Sequence, residues 1–543
     1  MPKSFHVYLL RFRYLWCIFA LFAQLFLQQI FFSYTGSDRN LQLLAAKNLY
    51  ESSSLSLSQA DTSDLSQKTY RALIEWPPAY SVGIIPIYAL VKNWMYSERI
   101  MGIIALILIF LSMHLIWQLI APKALYSYMG FFFFWGISFT PFHYTGTSDE
   151  WALACLLMGA YLFVRADKSK LIALGLAFFL ISMSVCFRYA YLPVLWMFVL
   201  IILYRDWKDS QYFSPSFVIS LLICAFFTIA IFFFQSPATA GGRALMQGPE
   251  RLYIENWKLW DAFPLKALAY VSITGIIHTF EVSAGTIIGL RIGFIIISGL
   301  VSVVCASYLL PYLREFAMRK NLSARHWGAA LWVGVLLSTV GLLAALSLLH
   351  PVEIHDGSFR WTYVMETRYY VAVLIGIQMV LWLIPFKLSL KKHIRYVAIC
   401  LLLGGGIFST FHTGFRYYQL FVLKHAKETL ASAANQKMAW IADYVSKEVS
   451  EGNHVLFIHG HSIQTSDEGS VAALAGANQL IFSDLKDELI TSVKLEVLIS
   501  LTDQEWEIWR KRSLGKAISR RACMLFQTVA GDVYGFRFEK EKN

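Results

Sequence analysis

The chain has 543 residues, of which 57% are hydrophobic and only 15% charged, with a net charge of +12. A soluble domain holds about 45–50% apolar and about 25% charged residues, so a soluble fold is excluded. The basic excess lies in short connectors between apolar runs, where the positive-inside rule accounts for it without nucleic acid as a partner.

In chain order, Lys3, Arg11 and Arg13 precede an apolar run from Tyr14 to about Phe32. That run is long for a signal peptide, and no small-x-small cleavage site follows. It reads as an uncleaved first span with a cytoplasmic N-terminus. Residues 34–98 are polar and Ser-rich from Ser52 to Ser66. Within them 79–96 is short and carries Pro86 and Lys92, which predicts a helix lying in the outer interface rather than a span. Spans of about 20 apolar residues are then predicted at roughly 14–33, 99–120, 125–142, 150–164, 171–187, 190–204, 215–235, 288–310, 327–349, 369–386 and 394–413. The connectors holding Lys123, Arg165, Arg205, Arg314, Arg325 and Lys391 all fall on the cytoplasmic side, which closes the alternation. Segments 34–98, 236–287 and 350–368 face outward.

From about residue 430 the composition changes. An amphipathic helix is predicted over 434–450, strands over 454–459 and 494–501, and a helix near 503–514. A hairpin over 522–538 turns at Gly531-Asp532. The chain therefore reads as an α-helical polytopic membrane domain, 1–429, followed by a small extracytoplasmic α/β domain, 430–543. Of the seven cysteines only Cys523 lies in that polar tail, so no disulfide forms within it.

Several outward residues could carry chemistry. Asp38, in TGSDRN, stands just outside the first span and could act as a general base; it could equally cap the helix after it. Glu75 precedes Trp76-Pro77-Pro78, and the proline pair forces an extended approach to the next helix. Asp149 and Glu150 open a span after HYTGTS, where acids at a helix N-terminus also have an ordinary structural role. Arg188, in CFRYAY, and Arg368, before Tyr369 in METRYY, are suited to a phosphate; Arg243 and Arg251 are weaker candidates. Snorkelling arginines are the alternative. His278, His350, His355 and His143 face outward and could join carboxylates around a divalent metal ion, although no HExxH spacing occurs. FIHGHS at 457–462 lacks G-x-S-x-G and reads as a strand end. With no phosphate-binding GxxxxGK[ST] and no dinucleotide fingerprint, an activated donor must reach the protein in some other form.

The order of these motifs resembles the GT-C superfamily of membrane glycosyltransferases, in the branch of protein O-mannosyltransferases and bacterial aminoarabinose transferases. The resemblance covers about 14–205 and resumes at 360–386. It rests on Asp38 opening the first outer loop, on Glu75-Trp76-Pro77-Pro78, similar to the family's E-x-P-P, on Asp149 in TSDEWALACLLMGAYLFVR, and on Arg368-Tyr369-Tyr370. It implies inverting transfer of a sugar from a polyprenyl-phosphate donor to a glycan, lipid or protein acceptor. It implies Asp38 as base, Glu75 at a metal or donor site and arginines on the lipid phosphate, in a bacterial inner membrane. The family often pairs Asp-Glu at the first site, whereas Arg39 follows Asp38 here. A transporter or flippase of lipid-linked saccharides, and an oligosaccharide ligase or polymerase, are the competing readings; the charges stay at the outer face and no repeat is visible, which disfavours the first.

Overall fold

The structure, a computed structural model, describes residues 12–30, 37–73, 76–136, 148–166, 171–208, 214–234, 284–318, 322–349, 354–355, 358–359, 371–386, 391–400, 402, 404, 430–461, 463–485, 491–512, 520–528 and 530–538. The chain is mostly helical. The elements run α1 (Tyr14–Ile30), α2 (Ser37–Ser52), β1 (Ser56–Asp61), β2 (Asp64–Ala72), α3 (Ala79–Val91), α4 (Trp94–Ile120), α5 (Leu125–Gly130), α6 (Ser148–Arg165), α7 (Leu171–Phe187), α8 (Leu192–Lys208), α9 (Pro215–Phe234), α10 (Ala284–Met318), α11 (Ala324–Leu349) and α12 (Val371–Leu383). After Leu430 come α13 (Leu430–Ser450), β3 (His454–His459), α14 (Ile463–Ala475), β4 (Asn478–Ile481), β5 (Leu495–Ser500), α15 (Asp503–Arg510), β6 (Cys523–Phe526) and β7 (Val533–Phe538). Among the described residues, helices fall at the predicted span positions, while 137–142 and most of 401–413 lie outside the described residues. Among the described residues, Trp94–Ile120, Tyr189–Lys208 and Gly299–Met318 are long and apolar enough to cross a membrane, and five shorter apolar helices accompany them. The protein is an integral membrane protein.

Two compact units form, Met1–Ile30 with Gly102–Arg416, and Phe31–Met101 with Tyr417–Asn543. In the first, α6 and α7 form a tight antiparallel pair. A Cβ on Gly159 would lie 2.6 Å from Ile181 Cγ1 and 3.0 Å from the Ala177 carbonyl, so only glycine lets these backbones approach. Chain reversal after α7 is built into the sequence. Arg188 is extended (φ −151°, ψ 112°), a single 3₁₀ turn follows over Tyr189–Tyr191, and Pro193 sits in the first turn of α8, where its missing N–H goes unneeded.

In the second unit, five strands pair in the order β4-β3-β5-β7-β6, with the first three parallel and the last two antiparallel. The run HVLFIH is apolar throughout because both faces of β3 are covered. Val455 and Phe457 pack with Ile441 and Val445 of α13 and Ala472 of α14. Leu456 and Ile458 pack on the opposite side with Trp509 of α15 and with Ala60 and Leu65 of the β1–β2 hairpin. The 34–98 segment, expected only as a polar outer loop with an interfacial helix, thus supplies a layer of this fold. Asn478 Nδ2 donates to the Leu65 carbonyl at 3.0 Å and Gln479 Nε2 to the Ser58 carbonyl at 3.0 Å. Asp64 Oδ1 accepts from the Ser66 hydroxyl at 2.7 Å and from the Ser492 amide at 3.2 Å. These bonds hold its carboxyl well below the usual carboxylate range, the Ser66 hydroxyl contributing most.

The helix predicted at 79–96 ends earlier, at Val91. Lys92 takes a left-handed conformation (φ 57°), its N–H donates to the Tyr88 carbonyl, and a new helix starts at Trp94. Tyr88 and Trp94 stack across this break with ring centroids 3.7 Å apart.

Candidate active site

Of the residues singled out from the sequence, Asp149, Glu150 and Arg188 are described with their side chains, and the structure brings them together. Ser148 opens α6, so both acids lie in its first turn, where the backbone N–H groups and the helix dipole favour negative charge. Because α7 runs antiparallel to α6, its last residue, Phe187, returns to the same end, and Arg188 follows at once. Arg188 Nε donates to Asp149 Oδ1 at 2.8 Å, with the two side chains only 10% and 6% exposed. Glu150 is fully buried beside them. Trp151 and Phe187 stack at 5.6 Å, placing aromatic carbon around the pair. A buried, charge-assisted contact of this kind fixes the guanidinium plane. The sequence marked both partners but not the pairing, which follows from the hairpin: whatever begins α6 must meet whatever ends α7.

Asp38 falls in the first turn of α2, a helix of the second unit; its side chain lies outside the described residues, as do Glu75, Arg243, Arg251, His278, Arg368 and Tyr369. Pro77 and Pro78 immediately precede α3, as the proline pair predicted. Among the described residues no three His, Cys, Asp or Glu side chains converge as a metal site.

A second buried charge cluster has no counterpart in the sequence reading. Lys437 Nζ lies 3.0 Å from Glu468 Oε1 and donates to Ser500 Oγ at 2.8 Å, while Ser500 donates to Glu468 Oε2. All three residues are buried. They join α13, α14 and the carboxyl end of β5, and their enclosure makes this a structural tie rather than a reactive centre. FIHGHS is a strand end as expected: β3 stops at His459, whose buried Nδ1 lies 2.8 Å from the Gly460 carbonyl. Burial pushes the His459 imidazole below its ordinary pKa.

No protein-family model matches the sequence, and no curated protein matches it. Solved structures do. The chain aligns over 98% of its length with 98% of ArnT from Cupriavidus metallidurans bound to undecaprenyl phosphate, at 10% identity and a TM-score of 0.51. ArnT is an aminoarabinose transferase of the GT-C type. The fold is the GT-C fold. Apo ArnT from the same organism aligns with a TM-score of 0.41 at 12% identity over 96% of this chain and 97% of that one. The apo oligosaccharyltransferase of Archaeoglobus fulgidus aligns at 0.41 and 10% identity, covering 87% of this chain and 64% of that one.

Proposed function

We propose that this protein is an inverting glycosyltransferase that moves a sugar from a polyprenyl-phosphate donor to an acceptor on the extracytoplasmic face of a bacterial inner membrane. The observation that carries the reading is end-to-end likeness to a transferase whose structure holds undecaprenyl phosphate. The buried Asp149–Arg188 pair at one end of the α6–α7 hairpin supports it. In the reaction the acceptor hydroxyl attacks the anomeric carbon, the bond from that carbon to the phosphate oxygen breaks, and polyprenyl phosphate departs with the electron pair. Asp38 takes the hydroxyl proton. Arg188 and Arg368, with Arg243 and Arg251, stabilise charge developing on the phosphate, a contribution that dominates in such sites. Asp149 holds Arg188 at a fixed angle, and Glu150 adds to the field there. Tyr369 and Glu75 contact the donor. Glu75 and His278 are the proposed contacts for a divalent metal ion. The domain boundary near 430, a cytoplasmic N-terminus and an extracytoplasmic C-terminal domain complete the reading.

The test is turnover of a panel of polyprenyl-phosphate sugars by purified wild type and Asp38→Asn. Transfer or donor hydrolysis lost in a folded mutant supports class and base together. A fully active mutant removes Asp38. If every donor is inert while lipid-linked glycan crosses vesicles, the protein is a transporter.

A further inference from the structure

A cavity of about 150 Å³ opens within the membrane unit between α4, α6, α10, α11 and α12. It lies toward the far end of α6 from the Asp149–Arg188 pair. It reaches Tyr161, twelve residues along the helix and therefore about 18 Å away. Small residues keep it open. A Cβ on Gly328 would meet only Ile120 Cγ2, at 3.5 Å, so nothing fills the space beside it. At Gly376 the opposite holds, since the Trp332 indole lies directly on the backbone and forms a rigid wall. The wall is overwhelmingly apolar, and an apolar void of this size excludes water and takes hydrocarbon.

Polar groups gather at one end. Tyr308 and Tyr312 line it with rings 5.6 Å apart, and the exposed Arg325 stands at the same end, its Nε donating to the Ile120 carbonyl at 2.6 Å. Tyr161 lines the cavity too, and its hydroxyl accepts from Arg165 Nη1 at 2.7 Å. A ligand that matches this must be hydrocarbon for most of its length and anionic at one tip. Arg165 and Arg325 belong to the basic connectors that the charge bias assigns to the cytoplasmic leaflet.

We propose that this cavity takes a segment of one acyl chain of an anionic phospholipid, with Arg325 and the two tyrosines on its headgroup phosphate. The site is separate from the proposed donor site and does not depend on the transferase reading.

The experiment titrates delipidated full-length protein with phosphatidylglycerol, phosphatidylcholine or polyprenyl phosphate, reading bound lipid by native mass spectrometry and the thermal midpoint in parallel. Phosphatidylglycerol should bind tighter than phosphatidylcholine, whose choline cation offsets its phosphate, and Arg325→Gln should lower phosphatidylglycerol affinity about tenfold, the worth of one charge-assisted contact, and phosphatidylcholine affinity by less. Gly328→Leu, which fills the cavity, should remove binding of both phospholipids; if that variant fails to fold, Arg325→Gln alone decides. Equal binding of the two phospholipids, or phosphatidylglycerol binding untouched by Arg325→Gln, overturns the proposal. So does polyprenyl phosphate displacing phosphatidylglycerol from the wild type, which would make the cavity a donor subsite.

Discussion

Removing one partner of the Asp149–Arg188 pair should be far more harmful than removing both. The Nε–Oδ1 distance is 2.8 Å and both side chains are at most 10% exposed. In an effective dielectric of about 20, the attraction at that distance is about 6 kcal/mol, and desolvation of the two ions cancels much of it. Stranding one charge then costs about 3–5 kcal/mol. Arg188→Gln should fall at the lower end of that range, because the first turn of α6 still favours the Asp149 carboxylate by about 0.3–1 kcal/mol. Asp149→Asn leaves a buried guanidinium and should cost more. The double variant should cost less than either single one, which requires a coupling energy of more than about 3 kcal/mol. Equilibrium unfolding of the four proteins in mixed SDS–detergent micelles measures this cycle. Additive effects, within about 0.5 kcal/mol, would refute the claim that the contact carries energy. Kinetics then separate position from contact: Arg188→Lys keeps the charge but loses the planar fork. If Arg188 meets the departing phosphate, kcat falls while the donor and acceptor KM stay put.

Three further outcomes are expected. Glu468→Gln should destabilise the protein by about 3–5 kcal/mol by stranding Lys437, and Lys437→Met added to it should restore much of the loss; both are read from the thermal midpoint of the full chain. Lys47 Nζ donates to the Ala473 and Leu474 carbonyls at the end of α14, and burial lowers its pKa from 10.5 to about 8. The folded state therefore disfavours its charge, so stability should rise by up to about 3 kcal/mol between pH 8 and 10.5, and Lys47→Met should abolish that rise in pH-dependent unfolding. Gly476 closes α14 at φ 121°, where a Cβ would also lie 3.1 Å from Val449; Gly476→Ala should cost about 1–2 kcal/mol, measured by chemical denaturation.

How legible the fold was depended on whether each segment buries its own apolar surface. Membrane helices do so against lipid, and their positions were plain from length and charge alone. HVLFIH and LEVLIS, buried on two faces, read as strands for the same reason. The β1–β2 hairpin did not. Its sequence, SLSQAD and then DLSQKTYRA, offers only Leu57, Ala60 and Leu65 to a core; Ala60 and Leu65 find theirs on strands some four hundred residues later, and Leu57 packs with Leu44 and Ala45 of α2 and Ala473 of α14. A window of ten residues contains no sign of such a partner. Nor did α14 and β4 stand out. Ser470, Asp467 and Glu468 give α14 a polar look, yet all three are buried, Glu468 because Lys437 meets it.

The same asymmetry governs the site. Composition shows that a charge exists, and the Lys/Arg bias of the connectors predicts the side of the membrane it occupies. Neither shows whether that charge is already neutralised. In the sequence, Arg188 suits a phosphate because the predicted topology puts it at the outer interface among tyrosines, and Asp149 is one of several outward carboxylates that could carry chemistry. Their contact changes what each can do. An arginine held by a carboxylate is oriented in advance and brings less net charge to an anion than a lone guanidinium, so any phosphate it meets is selected by geometry more than by attraction. The pair can therefore serve donor binding only if the departing phosphate, more negative than the phosphodiester it comes from, outcompetes Asp149 for the guanidinium. That makes the interaction stronger after bond breaking than before. Under the proposed reaction, Asp149→Asn should then tighten binding of the polyprenyl phosphate product and slow its release, lowering kcat while leaving donor affinity intact. Single-turnover and steady-state rates compared on the same protein would show it, and a mutant slowed equally in both would leave Asp149 a purely structural partner.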